Sequence, residues 1–176
     1  MKGPHAWSIV YVISVLVANY TAGIFIPFPV FGLLSVGTIV FGLTFTARDY
    51  VHTLGRRYVY SMILVAGVLS LAMSLALGVP TRIVVASFLT ICIAEAADTE
   101  VYQRFINKNW LTRVSLSNSV SVPLDSILFT TMAFAGVMSA YDMAQIIFAD
   151  VVVKFAVGFG VALLRSLGVR KSATSH

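Results

Sequence analysis

The 176-residue chain is 59% hydrophobic and only 11% charged, with a mean hydropathy of +0.92, against about a quarter charged for an ordinary soluble domain. That excludes a soluble globular protein and predicts an all-α polytopic membrane protein. At about 20 residues per span the length holds six transmembrane helices with short joints and no soluble domain beside them, so residues 1–176 form a single transmembrane domain.

The net charge of +5 does not point to nucleic acid. Its basic residues stand singly or in pairs at the ends of apolar runs, where they act as topology signals. Cys92 lies alone in an apolar run and reads as a small packing residue.

The first span is expected over residues 7–26. It follows MKGPHAW and has no small-residue cleavage site, so it reads as an uncleaved span rather than a leader. Pro27 and Pro29 end it, because proline cannot continue the helical hydrogen-bond ladder. Asn19 sits in its polar last turns. The second span, 31–54, carries Gly32, Ser35, Gly37 and Gly42, which permit close helix approach. Near its end, Arg48 and Asp49 read as an interfacial pair that snorkels to the headgroups, with an inward role for Asp49 as the alternative.

The third span, 58–77, carries no charge, and Gly78 to Pro80 make a tight turn. Spans four to six follow over 82–105, 110–138 and 143–167, and the tail RKSATSH is expected to be disordered. Threading six spans puts Lys2, Arg56, Arg57, Arg104, Lys108, Arg113, Arg165, Arg170 and Lys171 on one side and only Arg82 on the other. The positive-inside rule then places both termini in the cytoplasm. Trp7, Tyr58, Tyr102 and Trp110 fall near the cytoplasmic ends as interfacial aromatics.

Polar residues within the apolar runs are the candidates for function, since an ionisable group in lipid is costly and normally faces a bundle interior or a watery cavity. Glu95, Asp98 and Tyr102 fall on one face of span four at spacings of three and four, and Asn118, Ser121 and Asp125 form a similar stripe on span five, with Pro123 among them. On span six, Asp150 and Lys154 have the i, i+4 spacing of an internal ion pair. At about 1.5 Å per residue, Asp125 and Lys154 come near mid-membrane, with Glu95 slightly inward and Asp98 and Asp49 towards the cytoplasmic third.

The four carboxyls Glu95, Asp98, Asp125 and Asp150 outnumber the one embedded base, Lys154, so they cannot all ionise in a dry interior. Carboxylates beside amides and hydroxyls suit a neutral, donor-rich planar ring such as a guanine-like edge, with Tyr20, Phe88 and Phe129 as candidates to stack on it. The bland alternative is a set of interhelical bonds that hold the bundle together. Enzyme signatures such as HExxH, GxSxG and a Gly-rich phosphate loop are absent, and the three histidines, His5, His52 and His176, are scattered. No catalysis, metal or cofactor is expected.

Several stretches together carry a resemblance: VANYTAG, LTFTARDYVHTLGRR, TRIVVASFLT with AEAADTEVYQRF, WLTRVSLSNSVSVPLDSILFTTMAFAG, and ADVVVKFAVG. In this order they resemble the queuosine precursor transporter family, also known as vitamin uptake transporters. Asp49, Asp98, Asp125 and the Asp150 and Lys154 pair fit the family's pattern.

The resemblance implies a six-helix protein of the inner (cytoplasmic) membrane that imports 7-deazaguanine precursors of the tRNA nucleoside queuosine, such as 7-cyano-7-deazaguanine. The expected substrate-binding residues are Asn19, Glu95, Asp98, Asn118, Ser121 and Asp125, with Asp49, Asp150 and Lys154 in coupling or gating. The expected partners are the deazapurine and the lipid bilayer, with a homodimer left open. The alternatives are a substrate-binding subunit of an ATP-driven uptake system and a non-transporting scaffold.

Overall fold

Pro27, expected to help close the first span, sits instead in a small β-hairpin. The computed structural model describes residues 3–28 and 32–173. Helix α1 (Pro4–Thr21) ends early: the Thr21 hydroxyl donates back to the Val17 carbonyl at 2.8 Å. Strand β1 (Phe25–Phe28) then pairs antiparallel with β2 (Gly32–Ser35), Phe25 opposite Ser35 and Phe28 opposite Gly32. The first two expected spans are therefore shorter than predicted, and the expected boundary at Pro29 and Phe31 lies outside the described residues. Proline suits this place because a two-stranded ribbon has free edges where no N–H is required.

Helix α2 (Val36–Val51) continues into a 3-10 turn at His52–Leu54. Gly55, with φ of 95°, joins it to α3 (Arg56–Ala76). Then come α4 (Thr81–Arg104), α5 (Trp110–Phe134) and α6 (Ala140–Ala173). Asn109 caps α5 by accepting from the Thr112 N–H at 2.8 Å. Ser139 starts α6 earlier than expected by accepting from the Asp142 N–H at 3.1 Å and donating to its carboxylate at 2.7 Å. At the far end α6 runs on through Arg170 and Lys171 to Ala173, so the first part of the tail is helical rather than disordered. Thr174 to His176, like Lys2, lie outside the described residues.

The six helices form a ring. Each packs on two neighbours in the order α1, α2, α6, α5, α4, α3, and α3 closes back on α1. Contacts at the two ends show the helices alternating in direction. At one end Trp7 of α1 stacks on Tyr50 of α2 at 4.6 Å, Tyr50 meets Trp110 of α5 at 6.2 Å, and Arg56 of α3 pairs with Glu100 of α4. At the other end Arg82, at the start of α4, donates to the carbonyls of Met132 and Ala135 at the end of α5. This basic residue is thus engaged by carbonyls that a helix terminus leaves without intrahelical partners.

The ring turns its apolar side chains outward. Ile9, Leu64, Val65, Ile93, Ile127 and Phe148 are exposed, while Arg48, Asp98, Ser117, Ser121, Ser126 and Thr130 are buried. Two helical stretches, α3 and Ala140–Gly160 of α6, are long and apolar enough to cross a membrane, and His5–Thr21 is apolar but shorter. The other three fall short for visible reasons. Helix α2 has 16 residues, and α4 and α5 carry the carboxyls and hydroxyls that face the interior.

Close approach between α1 and α2 depends on Gly37, where an added Cβ lies 2.6 Å from the Ala18 carbonyl oxygen and 3.1 Å from the Ala22 Cα. Both are backbone atoms and neither can move aside. Gly37→Ala is expected to cost about 1–3 kcal/mol, read as a lower midpoint of thermal unfolding in detergent. Gly160→Ala, with nothing within 4 Å of the new methyl, is expected to show no loss.

Candidate functional site

The buried ionisable side chains separate into two clusters about one helical turn apart along α5. The first is built around Arg48, which is fully buried rather than interfacial. Its Nη2 lies 2.8 Å from Asp98 Oδ1, donates to Asn118 Oδ1 at 2.9 Å, and comes within 3.8 Å of Asp49. Its Nη1 lies 3.1 Å from Glu95 Oε2, and its guanidinium carbon stands 4.7 Å from the centre of the Phe45 ring. Planar, multiply donating guanidinium suits this place, since one group serves three carboxylates and an amide at once.

Asp98 is held from every side. Besides Arg48, it accepts from the Ser121 hydroxyl at 2.8 Å and bonds His52 Nε2 at 3.2 Å. The His52 ring stacks on Tyr102 with centroids 4.0 Å apart. Tyr102 is itself fully buried, so it is a wall of this cluster and not an interfacial aromatic. Asp49, His52 and Asp98 each bring a potential ligand atom within 4.8 Å of the others. The Arg48 guanidinium already supplies positive charge to Asp98 there.

The second cluster is built around Lys154. Its Nζ donates to Asp125 at 2.7 Å, to Ser126 at 3.1 Å and to Asp150 at 3.3 Å. The expected Asp150 and Lys154 pair is therefore formed, and Asp125 is the closer partner. Thr38 of α2 donates to the other oxygen of Asp150, so this cluster ties α2, α5 and α6, whereas the first ties α2, α4 and α5.

Of the expected binding residues, Glu95, Asp98, Asn118 and Ser121 thus gather on Arg48, together with Asp49, while Asp125 joins Asp150 and Lys154. Asn19 stands apart, donating to Ser70 and accepting from Ser87. Sequence reasoning placed Arg48 at the surface because it falls within two turns of the end of the expected second span, and it passed over His52, Thr38 and Ser126. The available signal was a charge deficit: carboxyls in apolar runs require nearby bases, and Arg48 and His52 share one face at i, i+4. The earlier balance is corrected to five buried carboxyls against three buried bases among the described residues, Asp49, Arg48 and His52 being additions.

Next to the Lys154 cluster, and reaching Asn19, lies a narrow pocket of about 30 Å³. Asn19, Ser87, Thr90, Asp125, Asp150 and Lys154 supply its polar wall, with Phe41 and Phe129 on the apolar side. Phe129 takes the expected place, but Tyr20 is 56% exposed and Phe88 packs beside Gly67 of α3. A water needs about 10–15 Å³ of such space, so a pocket of about 30 Å³ holds about two waters and is too small for a bicyclic ring.

A family model described as "Putative vitamin uptake transporter" matches residues 35–165, that is 131 of the 176 residues. The chain belongs to this family. The match begins at the end of β2 and covers both clusters. No curated protein and no solved structure matches the chain. As a vitamin uptake transporter it is a membrane protein of solute uptake, and its apolar exterior around a charged interior has the distribution that such a task requires.

Removing Arg48 leaves Glu95 and Asp98 as buried, uncompensated acids. Arg48→Met is expected to cost about 3–5 kcal/mol, measured by thermal unfolding in detergent. Adding Asp98→Asn and Glu95→Gln to it is expected to recover part of that loss, whereas a further decline would show that Arg48 does not act by neutralising these two groups.

Proposed function

We propose that this vitamin uptake transporter crosses the cytoplasmic membrane six times as one domain, with both termini inside, and imports a 7-deazaguanine precursor of queuosine such as 7-cyano-7-deazaguanine. The observation that carries the reading is the set of acids and amides held on the inner faces of α4 and α5, inside a ring whose outer surface is apolar. Such groups are expensive in lipid and are kept for a solute. The choice of a deazaguanine rests on the matching stretches quoted above and on chemistry. A carboxylate accepts two adjacent N–H groups from a guanine-like edge, and an amide serves its carbonyl.

The topology is supported by charge. Arg56, Arg57, Arg104, Lys108 and Arg113 lie at the ring end that also carries Trp7, Tyr50 and Trp110, the arrangement expected of a cytoplasmic face. The single basic residue opposite, Arg82, is engaged by carbonyls of the α5 terminus.

The small volume of the pocket sets the order of events. For a planar ring to enter between Asn19 and Asp125, α5 and α6 must part around Lys154. That separation frees the Asp125 carboxylate to accept ring N–H groups, with Phe41 and Phe129 available to stack on the faces. The Arg48 cluster, with Glu95, Asp98, Asn118 and Ser121, closes the cytoplasmic side and opens in turn, as alternating access around a mid-membrane site requires. Asp49, Asp150 and Lys154 act in these openings rather than in ring recognition.

Cells unable to make the precursor, given 7-cyano-7-deazaguanine and this protein, are expected to regain queuosine in their tRNA. A hydrogen bond to a charged group contributes about 1.5–3 kcal/mol, so Asp125→Asn and Asp98→Asn are each expected to lower uptake about tenfold or more at equal membrane abundance. Wild-type uptake by both variants would sink the site. Uptake by the purified chain alone in proteoliposomes separates a self-sufficient carrier from a subunit that needs an ATP-hydrolysing partner.

A further inference from the structure

The Lys154 cluster leaves one charge and one oxygen unspent, and a second unbonded oxygen, on Thr90 of α4, lines the same pocket. With all three groups ionised, Asp125, Asp150 and Lys154 sum to one negative charge. Lys154 commits its donors to Asp125, Ser126 and Asp150, and Thr38 takes the second oxygen of Asp150. The second oxygen of Asp125, Oδ1, has no hydrogen-bond partner among the described residues. Thr90, only 1% exposed, presents a hydroxyl oxygen that likewise has no partner there. A buried, unbonded hydroxyl normally signals a partner that the protein itself does not supply.

We propose that this cavity binds one alkali cation, sodium in kind, held by the Asp125 carboxylate and the Thr90 hydroxyl, with the Asn19 amide oxygen on the same wall. Several features select the ion. The ligands are all hard oxygens, and histidine and cysteine, which attract transition metals, do not line the cavity. A single uncompensated charge matches a monovalent ion. Magnesium keeps several waters in an octahedral shell, which a cavity of about 30 Å³ does not accommodate, whereas a largely dehydrated sodium ion with one water fits.

The ion draws on Asp125 from the side opposite Lys154, so its arrival competes with the ammonium for that carboxylate. Loading therefore loosens the tie between α5 and α6. The site shares Asn19 and Asp125 with the proposed substrate position, but it is tested without substrate, so failure of ion binding and failure of transport are read separately.

The test uses the purified full chain in detergent at constant ionic strength, with sodium chloride replaced stepwise by potassium or choline chloride. Sodium is expected to raise the unfolding midpoint saturably, potassium and choline to leave it unchanged, and radioactive sodium to bind at about one ion per chain. Thr90→Val keeps the side chain's shape and removes its oxygen. It is expected to fold with the wild-type midpoint in choline and to weaken sodium binding about tenfold, the equivalent of 1.4 kcal/mol, while Asp125→Asn abolishes binding. Equal midpoints in sodium and choline with background radioactive binding would overturn the proposal, as would full sodium affinity in Thr90→Val. Stabilisation by acid in place of sodium would overturn it too, because Asp125 would then be taking a proton.

Discussion

A charge placed inside an apolar shell must find its counter-charge within the same shell, and the arrangement of this protein follows from that constraint. Arg48 meets it for the first cluster. It is the one side chain that reaches Asp49, Glu95, Asp98 and Asn118 together, and in doing so it draws α2, α4 and α5 into one node. Lys154 does the same for Asp125 and Asp150, with α6 in place of α4. Helices packed in lipid gain little from hydrophobic contact with one another, because lipid tails are as apolar as leucine. Polar ties and close backbone approach take over that role, and the glycine contact between α1 and α2 is an instance of the second.

The same economy explains why α4 and α5 look less like membrane helices than α3 does. Each contributes a buried polar stripe, Ser87, Thr90, Glu95 and Asp98 on one and Ser117, Asn118, Ser121 and Asp125 on the other. These residues lower the average apolarity of the helix while the outward face stays fit for lipid. Helix α3 lies across the ring from the Lys154 cluster and has only Ser70 and Ser74 among its buried polar residues, and it keeps the plain apolar signature. In α4 and α5 low hydropathy therefore marks a buried polar stripe.

Much of this was legible in the sequence. The helical segments, the stripes at spacings of three and four, and the Asp150 and Lys154 pair all follow from helical periodicity, which is a local property. What escaped was set by tertiary contact. Prolines 27 and 29 announced a helix end, but the pairing of Phe25–Phe28 with Gly32–Ser35 depends on where the chain returns. Arg48 read as a surface residue because depth was inferred from the nearest helix end. In the structure the 3-10 turn at His52–Leu54 and the aromatic layer of Trp7, Tyr50 and Trp110 cover that end, so a residue two turns in is already interior. Nor could spacing along α5 reveal that Ser121 and Asp125, neighbours on one stripe, would join different clusters, one at Asp98 and the other at Lys154.

That last division gives α5 an unusual mechanical character. Ser121 is moored to the Arg48 node and Asp125 to the Lys154 node, and between them stands Pro123, inside the helix. Proline leaves the ladder a rung short at that level. Helix α5 is thus jointed midway between its two anchorages, and flexure at the joint can slacken one anchorage while the other holds.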